Sequence, residues 1–253
     1  MIDLKEVSYS YEGTIALKNI NLHIEKGEAV ALLGANGTGK STLLKLLNGL
    51  LSPNQGVYRF NHQEITPKKL KDPIFSKKFH QKIGFVFQNS DTQLFCPDVY
   101  DEIAFGPRQM GMNESEVAQR VNDCLDLLGI QSFKHRQPYH LSGGEKRKVA
   151  IACVLALNPE VLVLDEPMNG LDPRTQRWLV DFLASLNQAG KTVITSTHNL
   201  DLVQELSKRA ILFDENHGIA ADLPTETLLE KIDLLKRVNL VDENYPFHSI
   251  KYS

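Results

Sequence analysis

The chain has 253 residues and a formal net charge of −3; 42% of its residues are hydrophobic and 23% are charged, which is typical of a globular protein. This charge provides no overall attraction to nucleic acid or to an anionic membrane, so no nucleic-acid partner is expected. The three cysteines lack C-x-x-C spacing, which argues against a disulfide or zinc framework. We expect no signal peptide because Asp3, Lys5 and Glu6 interrupt any apolar core, and no apolar run approaches the roughly 20 residues of a transmembrane helix. A role at a membrane would therefore require a partner.

Apolar and polar residues alternate over residues 1–24, which predicts two antiparallel strands joined near Glu12 and Gly13. Tyr11 lies just before this turn, where its ring could stack on a nucleotide base. The alternative is a strand aromatic that packs on its neighbours, and the residues alone favour that alternative.

The segment Gly34-Ala-Asn-Gly-Thr-Gly-Lys-Ser41 matches the phosphate-binding pattern G-x-x-x-x-G-K-[ST]. It follows an apolar run, 29–33, that predicts a buried parallel strand, and it precedes a predicted helix over 42–48. The N–H groups of such a loop and the positive end of the helix dipole attract a polyphosphate. A chance glycine-rich turn is the alternative, but both flanking elements are those of a nucleotide triphosphate site.

Within this phosphate loop, Lys40 is expected to contact the β- and γ-phosphates, and the Ser41 hydroxyl is expected to bind Mg²⁺. The predicted nucleotide contacts of the loop are Gly34, Asn36, Gly37, Gly39, Lys40, Ser41 and Thr42.

Another strand is predicted over 57–60, and six lysines follow between residues 68 and 82, in a stretch that Pro67 and Pro73 interrupt. We interpret these lysines as a solvated surface; contact with acidic phospholipid or nucleic acid is the alternative.

An apolar strand is predicted over 83–87, and Gln88 follows it. From the end of a strand beside the phosphate loop, this glutamine could reach Mg²⁺ or the attacking water, although surface glutamines are common. Residues 89–107 are rich in acids and turn formers without clear periodicity, which predicts a loop of a length that is often functional. Asn113 then caps a predicted amphipathic helix over 113–128.

A second possible anion cradle lies at Ser142, Gly143 and Gly144, before a predicted helix. Small residues at a helix N-terminus present their amides to an anion. An ordinary capping box of Ser142 with Glu145 is the alternative, and both interpretations can hold together.

The apolar strand predicted over 161–164 ends in Asp165 and Glu166, where doubly wound sheets bind ligands. Asp165 is expected to hold Mg²⁺, and Glu166 to orient or deprotonate water; a solvated strand end is the alternative. The strand predicted over 192–197 is followed by His198, which is either a capping residue or a contact for a γ-phosphate.

A late strand is predicted over 209–213 and a short amphipathic helix over 225–238, and we expect the tail after Asp242 to be mobile. Strands that alternate with helices predict an α/β fold around a mostly parallel sheet.

The motifs, in their order along the chain, resemble those of the nucleotide-binding subunits of ABC transporters. This resemblance implies a P-loop NTPase of the ABC type, a single domain over residues 1–240 with an N-terminal antiparallel β subdomain and a helical subdomain at about 89–158, and a tail at 241–253. It implies ATP and Mg²⁺ as cofactors. It also implies a head-to-tail dimer, in which the Ser142–Gly144 cradle of one chain closes on the γ-phosphate held by Lys40 of the other.

The resemblance also assigns roles to single residues. Tyr11 would stack on adenine, and Gln88 would couple the site to a membrane partner. Glu166 would be the general base, Asp172 would communicate across the dimer, and His198 would contact the γ-phosphate. These roles suit phosphoryl transfer, which needs positioning and charge neutralisation more than covalent chemistry.

The segments Phe87–Phe95 and Val99–Pro107 are similar to those of the ATPase of energy-coupling factor importers, which take up vitamins and transition-metal ions such as cobalt or nickel. Ser90 departs from the family's usual proline, and Met168-Asn169 departs from its usual threonine-containing pair. The similarity implies a transmembrane scaffold protein, a substrate-capture membrane protein, a homodimer or a heterodimer with a related ATPase subunit, and a peripheral location at the cytoplasmic face of the cell membrane. The coupling helices of that scaffold carry arginines, for which the expected receivers are Asp98, Asp101 and Glu102.

Three other functions remain open at this stage. A conventional binding-protein-dependent importer is disfavoured by the Gln-Leu-Phe and Ala-Phe-Gly-Pro segments. A soluble ABC ATPase for DNA repair, chromosome handling or translation usually carries long coiled coils or two fused ATPase domains, and neither pattern is present. A nucleotide-binding protein without catalysis is disfavoured because Lys40, Asp165, Glu166 and His198 are all intact.

Overall fold

The structure, a computed structural model, describes residues 1–242, so nearly all of the predicted tail lies outside the described residues. The strands are β1 (Ile2–Tyr11), β2 (Thr14–Ile24), β3 (Ala29–Leu33), β4 (Gln55–Phe60), β5 (Gln63–Glu64), β6 (Ile83–Val86), β7 (Val161–Leu164), β8 (Thr192–Ser196), β9 (Arg209–Phe213) and β10 (Ile219–Pro224). The helices are α1 (Lys40–Leu47), α2 (Pro67–Leu70), α3 (Pro73–Lys82), α4 (Val99–Gln109), α5 (Glu114–Leu128), α6 (Gly143–Leu155), α7 (Pro173–Gln188), α8 (Val203–Leu206), α9 (Thr225–Leu229) and α10 (Ile232–Arg237). Within residues 1–242, no helix is long and apolar enough to cross a membrane.

Two sheets form the framework. The N-terminal sheet has the order β2-β1-β4-β5 and is antiparallel throughout. The larger sheet has the order β10-β9-β3-β8-β7-β6, in which every pair is parallel except the edge pair of β10 and β9. The prediction of an α/β fold with a mostly parallel sheet is confirmed.

The parallel strands are apolar because helices and the second sheet cover both of their faces. All four residues of β7 are buried, and so are the last four of β3. Side chains of α1 fill the space between the two sheets, where Leu43 and Leu47 are fully buried. Because β3, β6, β7 and β8 are parallel, their carboxyl ends lie along one edge of the sheet, and the motif residues follow these ends.

Helices α4, α5 and α6 pack together through Ile103, Val121 and Val149, all fully buried. They lie within the segment 89–158 that was predicted as a helical subdomain. The boundaries of that subdomain, and of a single domain over 1–240, stay predictions.

The prediction of a loop over 89–107 is wrong for its second half, because α4 begins at Val99. The Asp98 side chain caps α4 by accepting a hydrogen bond from the Asp101 N–H at 2.9 Å. The helix buries Val99, Ile103 and Ala104. The sequence did not predict this helix because Gly106 and Pro107 are typical of turns, although both lie in its last turn.

Other boundaries also differ from the predictions. Pro67 and Pro73 begin α2 and α3, each after a capping side chain, because a proline at the first helical position loses no hydrogen bond. The helix predicted over 225–238 is two helices, α9 and α10. The sequence did not predict α7, α8 or β10, and α1 begins at Lys40 rather than at Thr42.

Candidate functional site

The phosphate loop connects β3 to α1 through glycines whose positive φ angles other residues rarely adopt. Gly34 has φ 146° and Gly39 has φ 109°. A Cβ on Gly39 would lie 2.3 Å from the carbonyl oxygen of Ala16 on β2, so the first sheet holds this loop tightly. No side chain caps α1, which leaves the N–H groups of its first turn for an anion.

Lys40 is buried at the start of α1. Its Nζ donates hydrogen bonds to the carbonyl oxygens of Gly34 and Ala35 at 2.7 and 2.9 Å. Burial lowers the pKa of Lys40, while the charges of Glu166 and Asp165 act in the opposite direction. A buried ammonium held by carbonyl groups next to uncapped amides fits the binding of a polyphosphate.

Three elements meet at Asp165, which follows β7. Asp165 Oδ1 accepts hydrogen bonds from Ser41 Oγ at 3.0 Å and from Ser196 Oγ at 2.7 Å. Mg²⁺ in nucleotide sites takes one or two protein oxygens together with substrate phosphates and waters. The Ser41 hydroxyl and the Asp165 carboxylate are oxygen ligands of this kind, so the residues fit a Mg²⁺ ion.

Glu166 has a left-handed backbone, with φ 44°, and its side chain is buried. Its Oε2 lies 3.0 Å from His198 Nδ1, and its N–H donates to Ser196 Oγ at 2.8 Å. Its Oε1 is buried without a hydrogen-bond partner among the described residues. An orphaned buried acceptor costs about 1–3 kcal/mol, so this oxygen suits a ligand or a water molecule that it would hold.

Gln88 lies two residues beyond β6, on an exposed loop. Its strand is parallel to β7, and the Asp165 N–H donates to the carbonyl oxygen of Val86 at 3.1 Å. Gln88 therefore follows the strand beside the two carboxylates. Its own carbonyl oxygen accepts a hydrogen bond from Arg147 at 2.6 Å.

Tyr11 ends β1 and is 41% exposed. Its ring contacts that of Tyr9 edge to face, with centroids 4.9 Å apart. Because Gly39 packs against Ala16 on the paired strand β2, this hairpin lies next to the phosphate loop.

The second cradle forms the N-terminus of α6. Ser142 and Gly143 are exposed. The capping box is present, with Ser142 Oγ accepting from the Glu145 N–H at 3.4 Å and Glu145 Oε2 accepting from the Ser142 N–H at 2.7 Å. The first of these bonds is long, so the Ser142 hydroxyl is only loosely held.

Asp172 caps α7 and lies near the second cradle, to which it is connected through Thr175. Its Oδ2 accepts a hydrogen bond from Thr175 Oγ1 at 2.6 Å, and this bond lowers the pKa of Asp172. A Cβ on Gly144 would lie 3.1 Å from the Thr175 side chain, so this threonine joins the two features.

The structure thus forms two separate groups from the predicted residues. One contains the phosphate loop, Asp165, Glu166 and His198; the other contains Ser142–Gly144 and Asp172. Among the described residues, no hydrogen bond or ion pair joins the two groups.

Sequence reasoning missed Ser196, which bonds both Asp165 and the backbone of Glu166, and Arg147, which is buried in α6. No signal marks Ser196. Arg147 has one: it is a charged residue on the helix face of Ile151 and Val154, both buried.

A family model described as ABC transporter matches residues 17–169, more than half of the chain. The nickel import ATP-binding protein LarO of Lactiplantibacillus plantarum is 49% identical over 223 residues, which cover 88% of this chain and 92% of LarO. The energy-coupling factor transporter ATP-binding protein EcfA of Methanothermobacter thermautotrophicus is 42% identical over 241 residues, which cover 95% of this chain and 76% of EcfA.

Two solved structures share the fold. The cbiO1 protein of Clostridium perfringens, part of the ABC transporter complex cbiONQ, matches with a TM-score of 0.82 at 34% identity, covering 98% of this chain and 96% of cbiO1. The ATP-binding cassette MJ0796, in a dimeric post-hydrolysis state bound to ADP and Pi, matches with a TM-score of 0.78 at 30% identity, covering 89% of this chain and 99% of the cassette. The chain therefore belongs to the ABC transporter family, as an ATP-hydrolysing subunit that drives transport.

Proposed function

We propose that the chain is the ATPase of an energy-coupling factor type importer for a transition-metal ion or a vitamin. It would lie peripherally at the cytoplasmic face of the membrane, beneath a transmembrane scaffold and a substrate-capture protein. The observation that carries the proposal is an apolar groove, with exposed aromatic side chains, beside the loop of Gln88.

This aromatic groove has a volume of about 280 Å³, and its lining includes Phe85, Phe95, Phe105, Cys153 and Leu157. Phe95 is 67% exposed and Phe105 is 43% exposed, and their rings meet edge to face at 5.1 Å. Exposed apolar surface of this kind marks interaction sites. Phe87 and Gln93 also line the groove, so a partner bound there would touch the loop that carries Gln88.

The groove is built from the two segments that resemble energy-coupling factor ATPases, because Phe87–Phe95 and Val99–Pro107 supply most of its aromatic residues. The relative EcfA supports this subtype, and LarO, a nickel import ATP-binding protein, supports a transition-metal ion as one candidate solute.

The three acids predicted to receive arginines of the scaffold already have partners within the chain. Asp98 caps α4, and Asp101 pairs with Arg108 at 2.8 Å. Glu102 is buried, and its Oε2 accepts from the N–H groups of Phe95 and Cys96 at 2.8 and 2.6 Å. Glu102 therefore holds the groove wall in place, and an incoming arginine would have to displace Arg108 from Asp101.

The two separate groups of site residues support a head-to-tail dimer closed by ATP. In the proposal, the phosphate loop of one chain holds the triphosphate through its amides and Lys40, and the exposed Ser142–Gly144 cradle of the second chain covers the γ-phosphate. Tyr11 stacks on adenine, and Asp172 contacts the second chain. MJ0796, whose solved structure is dimeric and bound to ADP and Pi, is similar to this chain at 30% identity, which supports a dimer.

Hydrolysis in this arrangement needs little covalent chemistry from the protein. Ser41, Asp165 and Gln88 would hold Mg²⁺, which neutralises phosphate charge when it is bound. Glu166 would accept the proton of the attacking water at Oε1, the oxygen without a partner in the structure. His198 Nδ1 lies 3.0 Å from Glu166 Oε2 and the ring is half exposed; in the proposal, His198 also contacts the γ-phosphate.

Affinity purification of this chain from its native membrane in mild detergent, followed by mass spectrometry, tests the proposal. Recovery of a small transmembrane scaffold with an integral capture protein is expected, and the capture protein would indicate the solute. A conventional permease in their place would refute the energy-coupling factor type. Recovery of no membrane protein would refute the coupling role of the groove and favour a soluble ATPase.

A matched pair of variants connects this result to the groove. Phe95→Ser should abolish co-purification of the membrane partners, because it removes the more exposed ring of the aromatic pair. Ile74→Ser is the control: Ile74 is 69% exposed but lies on α3, outside the groove lining. Equal losses in the two variants would contradict the assignment of the groove.

A further inference from the structure

We propose that Arg147 is a positioning residue that joins α6 to the loop of Gln88, so that the Ser142–Gly144 cradle and Gln88 change position together. The inference rests on the role proposed above for Gln88. It assigns a function to a residue that neither bounds the nucleotide site nor lines the aromatic groove.

The Arg147 side chain donates hydrogen bonds to the backbone of the Gln88 loop. Arg147 is 4% exposed. Its Nη1 donates to the carbonyl oxygen of Phe87 at 2.7 Å, and its Nη2 donates to that of Gln88 at 2.6 Å. The two donors of one rigid, planar group thus fix two successive carbonyl groups, which sets the orientation of the backbone at Gln88.

Stability alone does not account for this arginine. Burial lowers the pKa of Arg147, so the surroundings disfavour its charge. Its Nε is buried without a hydrogen-bond partner among residues 1–242. Apolar residues of similar volume often stabilise a protein as well as a buried charged group does. The presence of this partly unsatisfied arginine is therefore better explained by the two carbonyl groups that it orients.

Helix α6 connects the places where this link would act. Its N-terminus carries the cradle, and Arg147 lies about one helical turn further along. Its last turns supply Cys153 and Val154 to the lining of the aromatic groove. A partner that moves in the groove would displace α6 and the Gln88 loop as one unit, because Arg147 joins them.

Two weaker contacts accompany the link. Lys146 pairs with Asp91 at 2.6 Å, and the Gln93 side chain joins the Ala150 carbonyl oxygen at 3.4 Å to the Phe87 N–H at 3.2 Å. Asp91 is exposed, and ion pairs with such groups contribute little. Of the three connections, the one through Arg147 is made by a buried charged side chain.

A double-mutant cycle on the full chain tests the inference. The variants are Arg147→Met, Gln88→Ala and their combination, and the measurements are kcat and KM for ATP together with the melting temperature. If Arg147 acts through Gln88, Arg147→Met lowers kcat about tenfold with KM changed less than about twofold, and the double variant is no slower than Gln88→Ala. Arg147→Lys, which can still donate to one carbonyl group, should recover part of kcat.

Lys148→Met is the matched control, because Lys148 lies over the Trp178 ring at 4.3 Å, away from the Gln88 loop; its kcat should match the wild type. Multiplicative losses in the double variant would overturn the inference and leave Arg147 a structural residue. If Arg147→Met has a normal kcat while Gln88→Ala is slow, the inference about Arg147 is refuted and the proposed role of Gln88 stands. Normal kcat in Gln88→Ala would refute the proposed role of Gln88, and the inference with it.

Discussion

The phosphate loop and the second cradle are both glycine-containing turns before a helix, but side chains cap the helix of only the second one. Gly39 precedes α1 without a side-chain cap, whereas Ser142 and Glu145 cap α6 reciprocally. The phosphate loop lies among Lys40, Asp165 and Glu166, which are all buried. The second cradle is exposed at Ser142 and Gly143.

In the proposed dimer, each chain completes only the first half of the site by itself. The first half is assembled within the chain and holds charges that are costly to bury without a ligand. The second half is satisfied by its own cap, and in the proposed dimer it becomes part of a site only when a second chain supplies the bound triphosphate.

The largest effect is expected for Glu166→Gln. The amide cannot accept the proton of the attacking water, so kcat should fall by about 10²–10⁴. Because the phosphate loop is unchanged, ATP binding measured by calorimetry should persist. Glu160→Gln is the control, since Glu160 precedes the opposite end of β7 and pairs with Lys82. A normal rate for Glu166→Gln would remove this residue from the role of base.

Lys40→Met should weaken ATP binding about tenfold to a hundredfold, because it removes a charged donor to the phosphates. Without ATP, the variant should melt at the wild-type temperature or above, since an apolar chain replaces a desolvated ammonium. Melting curves with and without MgATP measure both effects. Lys45→Met, on the same helix, should keep the ATP-dependent rise in melting temperature; if Lys40→Met keeps it too, Lys40 does not bind the phosphates.

Gly143→Asp should lower kcat on the order of tenfold, because it places a negative charge where the γ-phosphate would approach. The fold should tolerate the change: a Cβ on Gly143 meets nothing within 4 Å, and an acid in the first turn favours the helix. ATP binding to the same chain should be unchanged.

Mixing Gly143→Asp with Lys40→Met sharpens this test. A head-to-tail pair of the two variants contains one site in which both halves are intact. The mixture should therefore hydrolyse ATP faster than either variant does alone. No recovery over a range of mixing ratios would contradict the proposed dimer.

The smallest effect is expected for Ser90→Pro, in the loop between the two halves. Ser90 begins a short turn over Ser90–Thr92 after an extended Asn89, and its Oγ is buried without a partner among the described residues. Proline fits this position and should raise the free energy of unfolding by about 0.4–1 kcal/mol. Urea denaturation measures it. Thr92→Pro should instead destabilise, because the Thr92 N–H donates to the Asn89 carbonyl oxygen at 3.3 Å.

Local sequence determined the elements that carry the motifs. The glycine pattern of the phosphate loop, the Asn113 and Ser142 caps and the apolar runs of β3 and β7 each express a short-range requirement, so the strands and helices around them could be predicted. Because these runs end in motif residues, the candidate ligands and the general base could be predicted too. The α4 helix could not be predicted, because it is stabilised by burial against α5 and α6 and because its Gly106 and Pro107 are typical of turns.

Which of these residues come into contact depends on the tertiary structure. Sequence spacing does not reveal that Ser196 joins Asp165 to Glu166, or that Oε1 of Glu166 lacks a hydrogen-bond partner within residues 1–242. It also does not reveal that Asp98, Asp101 and Glu102 are already bonded within the chain. Nor does it reveal that Arg147 binds two carbonyl groups of a loop 59 residues or more away in sequence. Such contacts depend on strand order and helix packing, and these are set by the burial of distant apolar surfaces rather than by neighbours along the chain.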